Sequence, residues 1–192
     1  YYASLAQTDD CVGQVLQALK ALGLDHNTIV LYTSDHGEML GVHGLWQKFV
    51  FYEPSAGVPL IFRAPGITPE NAKCENPVSL VQVFPTLIEL CGLPMQGLDG
   101  SSLVADLREP QKTRETTVFA EHSLPGKNSG YMIRRGDFKY SYYVSDMPEL
   151  YDLRTDPEEM KNLALLPEYQ SKAKDMQAAL FAWYRPPQAA GR

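Results

Sequence analysis

"TIVLYTSDHGEMLGVHGLWQK", from Thr28 to Lys48, decides how the rest of the chain is read. Its opening run, Thr28 to Thr33, is short, β-branched and apolar on both faces, the pattern of a buried strand in a parallel sheet. The polar stretch that follows holds His36 and His43, two of the chain's four histidines. Adjacent Asp35 and His36, at the end of such a strand, can offer a carboxylate and an imidazole to one metal ion. The same pair also reads as a solvated turn, with Asp35 capping backbone amides, because two ligands by themselves make no site.

Outward toward the N-terminus, Tyr2, Leu5, Asp9, Val12, Leu16 and Leu19 recur at intervals of three and four, which predicts an amphipathic helix stopped near Gly23. This pattern is in phase from the first residues, as expected of a chain cut from something longer. In the other direction, Val58 to Phe62 ("VPLIF") predicts a second buried strand, closed by Ala64-Pro65-Gly66. A second helix is expected from about Val78 to Cys91, with Pro85 in its first turn or at a kink. Helix, strand, long loop, strand, helix is an α/β order, and ligands in such folds gather beyond the carboxyl ends of strands.

After "GLDGSSL" the texture changes. Thr116 to His122 and Tyr131 to Val144 predict antiparallel strands, with Gly136-Asp137 as the turn in the second stretch. "ELYDLRTDPEEMKNLA" adds a short strand and a turn at Asp156-Pro157, and a last helix is expected from Pro167 to Tyr184, before a loose tail. The expected division is an α/β part over 1–110 and a small α+β subdomain over 111–192.

Composition narrows the function classes. The 192 residues are 44% apolar and 21% charged, an ordinary globular balance. A net charge of −6 with no basic block argues against nucleic acid as a partner. No apolar run approaches the ~18 residues of a membrane span. Cys11, Cys74 and Cys91 form no CxxC pair and are expected to pack as small apolar residues.

Other candidates carry two readings each. His43, between Val42 and Gly44, reads as a loop-packing residue held through its ring nitrogens. Lys48, among Trp46, Phe49 and Phe51, either lays its stem across the aromatics or holds an anion in a partly dry site. His122 reads as a surface residue at a strand end, or as one lining a cleft. Asp9 interrupts the apolar face of the first helix, and Arg134, Arg135 and Lys139 read as a solvated basic hairpin.

Taken in order, "YYASLAQTDDCVGQVLQAL", "TIVLYTSDHGEMLGVHGLWQK", "FYEPSAGVPLIFRAPG", "VSLVQVFPTLIELCGL", "GLDGSSL" and "RRGDFKYSYY…ELYDLRTDPEEMKNLA" resemble the sulfatase family of the alkaline-phosphatase-like superfamily. The resemblance implies part of a doubly wound sheet followed by a small subdomain of antiparallel sheet and terminal helix. It implies that Asp35 and His36 bind a divalent cation, usually calcium, with magnesium or manganese as alternatives because an imidazole is unusual for calcium. It also implies that Lys48 reaches the sulfate group and stabilises its transfer, while the family's further Lys and His around the sulfate have no counterpart here; His122, from its cleft reading, is a further candidate substrate contact. Sulfate esters, including sulfated sugars, are the implied substrates. Phosphonate or phosphodiester hydrolysis is an alternative, as is a non-catalytic module that binds anions or a partner.

The chain departs from the family in two ways. The family's Cys-or-Ser-x-Pro-x-Arg stretch, whose Cys or Ser becomes the formylglycine nucleophile, is absent, as is the early Asp-Asp metal pair. The resemblance is therefore to the C-terminal portion of a sulfatase, inactive alone and expected to self-associate or to dock on the missing part. Any targeting signal would precede Tyr1, so the compartment stays open. The second departure is Gly57, which stands where relatives usually carry Arg, a loss that needs compensation if that arginine pairs with a buried carboxylate.

Overall fold

The computed structural model describes residues 1–123 and 129–184. The chain folds as a mixed α/β protein with two separate antiparallel sheets. Helix α1 (Tyr2–Ala21) leads into strand β1 (Val30–Thr33), and a long loop with the short helix α2 (Glu53–Ala56) returns the chain to strand β2 (Leu60–Arg63). Helix α3 (Val83–Leu90) follows a 3-10 turn, Leu80–Gln82, closed by a reciprocal Ser79–Gln82 capping box. Pro85 lies in the first turn of α3, where a missing N–H costs no helix bond. Helix α4 (Val104–Arg108) ends this half of the chain.

Two expectations fail here. β1 and β2 do not run parallel: Val30 faces Arg63 and Thr33 faces Leu60 in antiparallel register. Nor are they buried on both faces, since β1 is half-buried at best and Ile61 of β2 is 59% exposed. An apolar run reads alike for either direction, because strand direction is set by the connection rather than by the strand's own residues. Helix α1 likewise buries none of its residues fully, only Val12, Gly13 and Leu19 are half-buried, and Asp9 is exposed. Cys11 and Cys91 are exposed rather than packed, and only Cys74 is half-buried, with its Sγ 3.9 Å from Asp106 Oδ1.

The second sheet matches its expectation closely. Strands β3 (Thr117–His122), β4 (Gly130–Arg135), β5 (Phe138–Tyr143) and β6 (Glu149–Asp152) form an antiparallel meander, and helix α5 (Gln170–Trp183) packs on it. Gly136, at φ +58°, opens the two-residue β4–β5 turn, where a left-handed first residue matches the twist of the strands. Tyr131, Ile133, Tyr140 and Leu150 point to one face and meet Ala173, Met176 and Leu180 of α5. These form the main core. The expected loose tail, 185–192, lies outside the described residues.

The opposite face of this sheet is covered by the chain around α2, and this overturns the reading of a solvated basic hairpin. Lys139 is 1% exposed. Its Nζ donates to the Phe51 carbonyl at 2.6 Å and pairs with Glu53 Oε1 at 2.9 Å and Glu159 Oε1 at 2.5 Å. Arg134, directly across from Lys139 in the sheet, pairs with Glu53 Oε2 at 3.3 Å. Two like charges facing each other across a strand pair repel, and one glutamate bridging both offsets that repulsion. Arg135 does remain at the surface, with Asp175 at 3.3 Å.

Candidate functional site

The loop after β1 is built around a buried methionine. Met39 is fully buried, and its N–H donates to the Gln47 carbonyl at 3.0 Å. Glu38 Oε1 accepts the Gln47 and Leu40 N–H groups, which ties the two sides of the loop together. Leu40, His43, Gln47 and Phe49 all take positive φ angles, so non-glycine residues hold left-handed backbone on both sides of Lys48. Such a conformation persists only when surrounding contacts over-determine it.

His43 supplies one of those contacts. Its Nε2 lies 2.9 Å from the Glu158 carbonyl, and its ring stacks on Tyr52 at 4.2 Å. This is the loop-packing role, well away from any ligand geometry.

Asp35, His36 and Lys48 come together at the loop's base. His36 Nδ1 is 2.8 Å from the Gly37 carbonyl, a contact that requires the proton on Nδ1 and leaves the Nε2 lone pair available. Lys48 Nζ donates to that Nε2 at 2.5 Å, and Asp35 Oδ2 lies 3.4 Å from it. Desolvation pushes the Asp35 carboxyl up, but the His36 ring beside it and the His36 backbone N–H together outweigh that and hold it below its usual value. An ionised carboxylate beside an imidazole lone pair of fixed tautomer suits two ligands of one divalent cation. Among the described residues, no group of three or more His, Cys, Asp or Glu side chains completes such a site.

Lys48 lies against an aromatic neighbour and also reaches into the loop's polar base. Its ammonium sits 5.7 Å from the centroid of the Phe49 ring while reaching His36, and the residue is half-buried. Asp35, His36, Lys48 and His122 line one cleft of about 750 Å³, together with Arg134. His122 is half-buried, not a surface residue: it lies at the end of β3 with its ring 4.9 Å from that of Phe51. Gly130 faces it across the β3–β4 pair, and a Cβ there would meet His122 Nε2 at 2.7 Å and Phe51 Cε2 at 2.8 Å. The sheet therefore brings His122 to the cleft only because position 130 has no side chain.

Residues that the sequence did not single out shape the same cleft. Glu53 lines it and takes both cations of the hairpin face. Glu159, 1% exposed in its side chain and at φ +57°, accepts the Glu53 N–H at 2.6 Å and completes the pairing with Lys139. Burial pushes the Glu159 carboxyl up, and the Lys139 ammonium offsets part of that rise. Gly57 lies beside this network: a Cβ there would meet the Glu53 carbonyl at 2.7 Å and stand 3.7 Å from Glu53 Oε2. The Glu53 carboxylate beside it is paired by Arg134 and Lys139.

A sulfatase family model matches residues 1–93. The chain is 39% identical over 176 residues to arylsulfatase K of Bos taurus, an alignment covering 85% of this chain and 32% of that protein. It thus spans about a third of the length of the curated relatives it matches. Among solved structures, one in complex with its substrate D-glucosamine-2-N,6-O-disulfate superposes with a TM-score of 0.87 at 29% identity, covering 95% of this chain and 39% of the other. The phosphonate monoester hydrolase of Agrobacterium radiobacter superposes with a TM-score of 0.76 at 30% identity, covering 95% and 40%.

Proposed function

Because the chain belongs to the sulfatase family of the alkaline-phosphatase-like superfamily, we propose that it forms one wall of a metal-dependent sulfuric ester hydrolase site. The observation that carries this reading is the cluster of Asp35 Oδ2, His36 Nε2 and Lys48 Nζ at the mouth of one cleft. Asp35 and His36 are the metal ligands this chain contributes, for calcium, magnesium or manganese. When bound, the cation supplies positive charge beside the oxygens of the transferring sulfuryl group. Lys48 binds and stabilises the same anion, and His122 contacts the ester from the β3 edge. Within this reading, 1–110 is the catalytic α/β part and 111–192 the small subdomain that closes the cleft.

The formylglycine motif is absent from these 192 residues, so the attacking group comes from outside them. Exposed apolar side chains on α1 (Tyr2, Leu5, Leu16) and on β2 (Ile61) support docking of further protein or self-association. Sulfated sugars are the favoured substrates, since the similar solved protein named above holds one.

Two assays test the reading. Calorimetry should show a divalent cation and inorganic sulfate binding to the chain, with Asp35→Asn abolishing the first and Lys48→Met weakening the second. Incubation of the chain alone with 4-nitrophenyl sulfate should give no turnover, and metal-dependent turnover would overturn the claim that the attacking group lies elsewhere. The likeness to a phosphonate monoester hydrolase supports a second reading, which predicts that inorganic phosphate or a phosphonate displaces sulfate from Lys48.

A further inference from the structure

Gly37 stands between the Asp35–His36 pair and helix α2, and both of its backbone groups are committed. Its N–H donates to the Ser55 carbonyl at 2.9 Å, and its carbonyl accepts the His36 Nδ1 proton at 2.8 Å. The approach to α2 leaves no room for a side chain. A Cβ at Gly37 would stand 2.1 Å from the Pro54 carbonyl oxygen and 2.9 Å from that of Gly57. The backbone of α2 is therefore the surface against which His36 is oriented. Moving α2 moves the acceptor that fixes the His36 tautomer.

A helix of four residues does not hold its own place. Tyr52, at the N-cap of α2, makes no side-chain cap bond, and the first helical N–H, that of Glu53, goes instead to Glu159 Oε2 at 2.6 Å. Glu159 reaches across 106 residues of sequence to accept it, from a left-handed backbone that a glutamate rarely adopts. Its other oxygen pairs with Lys139, whose ammonium also holds the Phe51 carbonyl and Glu53 Oε1. Exchanging a whole buried ion pair for apolar side chains is often neutral or stabilising, so stability alone does not account for a carboxylate here. What it supplies, and an apolar side chain cannot, is an acceptor of fixed position for α2.

We propose that Glu159 is a positioning residue for the cleft, acting on His36 through α2. Its carboxylate holds the Glu53 N–H and so fixes α2, the Ser55 carbonyl fixes Gly37, and the Gly37 carbonyl fixes the His36 ring with Nε2 toward Lys48. Glu159 itself is not among the described residues that line the cleft. The proposal rests on the reading of Asp35, His36 and Lys48 as the metal and sulfate site. It adds that the geometry of this pair is set by a carboxylate in the other half of the chain.

The readout is the His36 tautomer, followed by nitrogen-resolved NMR of the 192-residue chain at pH ~8, above the ordinary histidine range. The natural chain should show one tautomer, with the proton on Nδ1. Two double variants separate position from charge. Lys139→Met with Glu159→Gln keeps an acceptor for the Glu53 N–H, Lys139→Met with Glu159→Leu removes it, and neither retains the ion pair. The glutamine variant should keep the single tautomer. The leucine variant should mix the two and bind manganese about tenfold more weakly than the glutamine variant. The same tautomer pattern in both variants, or a mixture in the natural chain, overturns the proposal. If the leucine variant fails to fold by circular dichroism, Glu159→Asp replaces it, one methylene short of the Glu53 N–H, and a single tautomer there overturns the proposal equally. The tautomer is read without metal or sulfate, so the two claims fail separately. A tautomer lost with Glu159, in a chain that binds neither manganese nor sulfate, leaves the positioning role standing and removes the sulfatase reading. Binding of both by the natural chain, with His36 unmoved in the leucine variant, does the reverse.

Discussion

Lys139 Nζ and Glu159 Oε1 meet at 2.5 Å with each side chain only 1% exposed, and this pair holds the hairpin sheet to the wall of the cleft. Removing one partner of a buried ion pair leaves an uncompensated charge, at a cost of about 3–5 kcal/mol. Lys139→Met strands Glu159 and deprives the Phe51 carbonyl of its donor. The expected outcome is a melting temperature lowered by roughly 10 °C, from ~3 kcal/mol or more in a domain of this size. Lys139→Met combined with Glu159→Gln should recover part of that loss, read by thermal denaturation.

Lys48 occupies the very lone pair on His36 Nε2 that a metal ligand would use. Metal entry must displace that ammonium, and its positive charge opposes the incoming cation as well. Lys48→Met should therefore tighten binding of manganese or calcium by about tenfold, or ~1.4 kcal/mol, while weakening sulfate. Paired titrations in the same variant check both directions, and weaker metal binding would refute the competition.

Tyr52, Tyr131 and Tyr140 all have hydroxyls pushed up to about 12 from 10, in each case first by burial. Between those values the folded chain holds protons that the unfolded chain releases, so stability falls as pH rises there. The contribution is whole below about 10 and lost on passing through about 12. Phenolate absorbance should rise together with unfolding in this range, and Tyr140→Phe should shift the unfolding midpoint to higher pH.

Gly130→Ala forces a methyl to within 2.7 Å of His122 Nε2, 2.8 Å of Phe51 Cε2 and 3.1 Å of Tyr143 Cδ1. Overpacking of this kind costs about 1–3 kcal/mol. A melting shift of several degrees is expected, together with weakened sulfate binding as His122 and Phe51 move. Unchanged stability would mean that β3 and β4 separate readily at this end.

Tyr2 is 85% exposed, Val15 60% and Ile61 59%, and α1 buries none of its residues. Exposed apolar side chains such as these favour association. Sedimentation should show concentration-dependent self-association of the chain, reduced by Val15→Glu on α1. A monomer at all concentrations would count against the docking face.

Much of this architecture was legible from local pattern. The spacing of Tyr2, Leu5 and Leu16 gave α1, Gly136-Asp137 placed the hairpin turn, and the adjacency of Asp35 and His36 marked the loop. Helices α2 and α4 are too short to show a helical period. The direction of β1 and β2 is not encoded in their own side chains. Lys139 looked solvated because alternation along "FKYSYY" separates two faces but does not reveal that both are covered. Its partner Glu159 lies in an irregular turn whose sequence predicts no burial.

The Lys139 bond to the Phe51 carbonyl spans 88 residues of chain, and it also sets an order of assembly. A contact of such long range pays its loop-closure entropy before it is rewarded, so it forms after the local hairpin that presents Lys139. The stretch around Lys48 has no regular hydrogen-bonded ladder of its own to hold its left-handed residues in place. It therefore acquires its shape only once the β4–β5 hairpin exists, and in refolding the anion-binding geometry follows, rather than accompanies, the return of secondary structure.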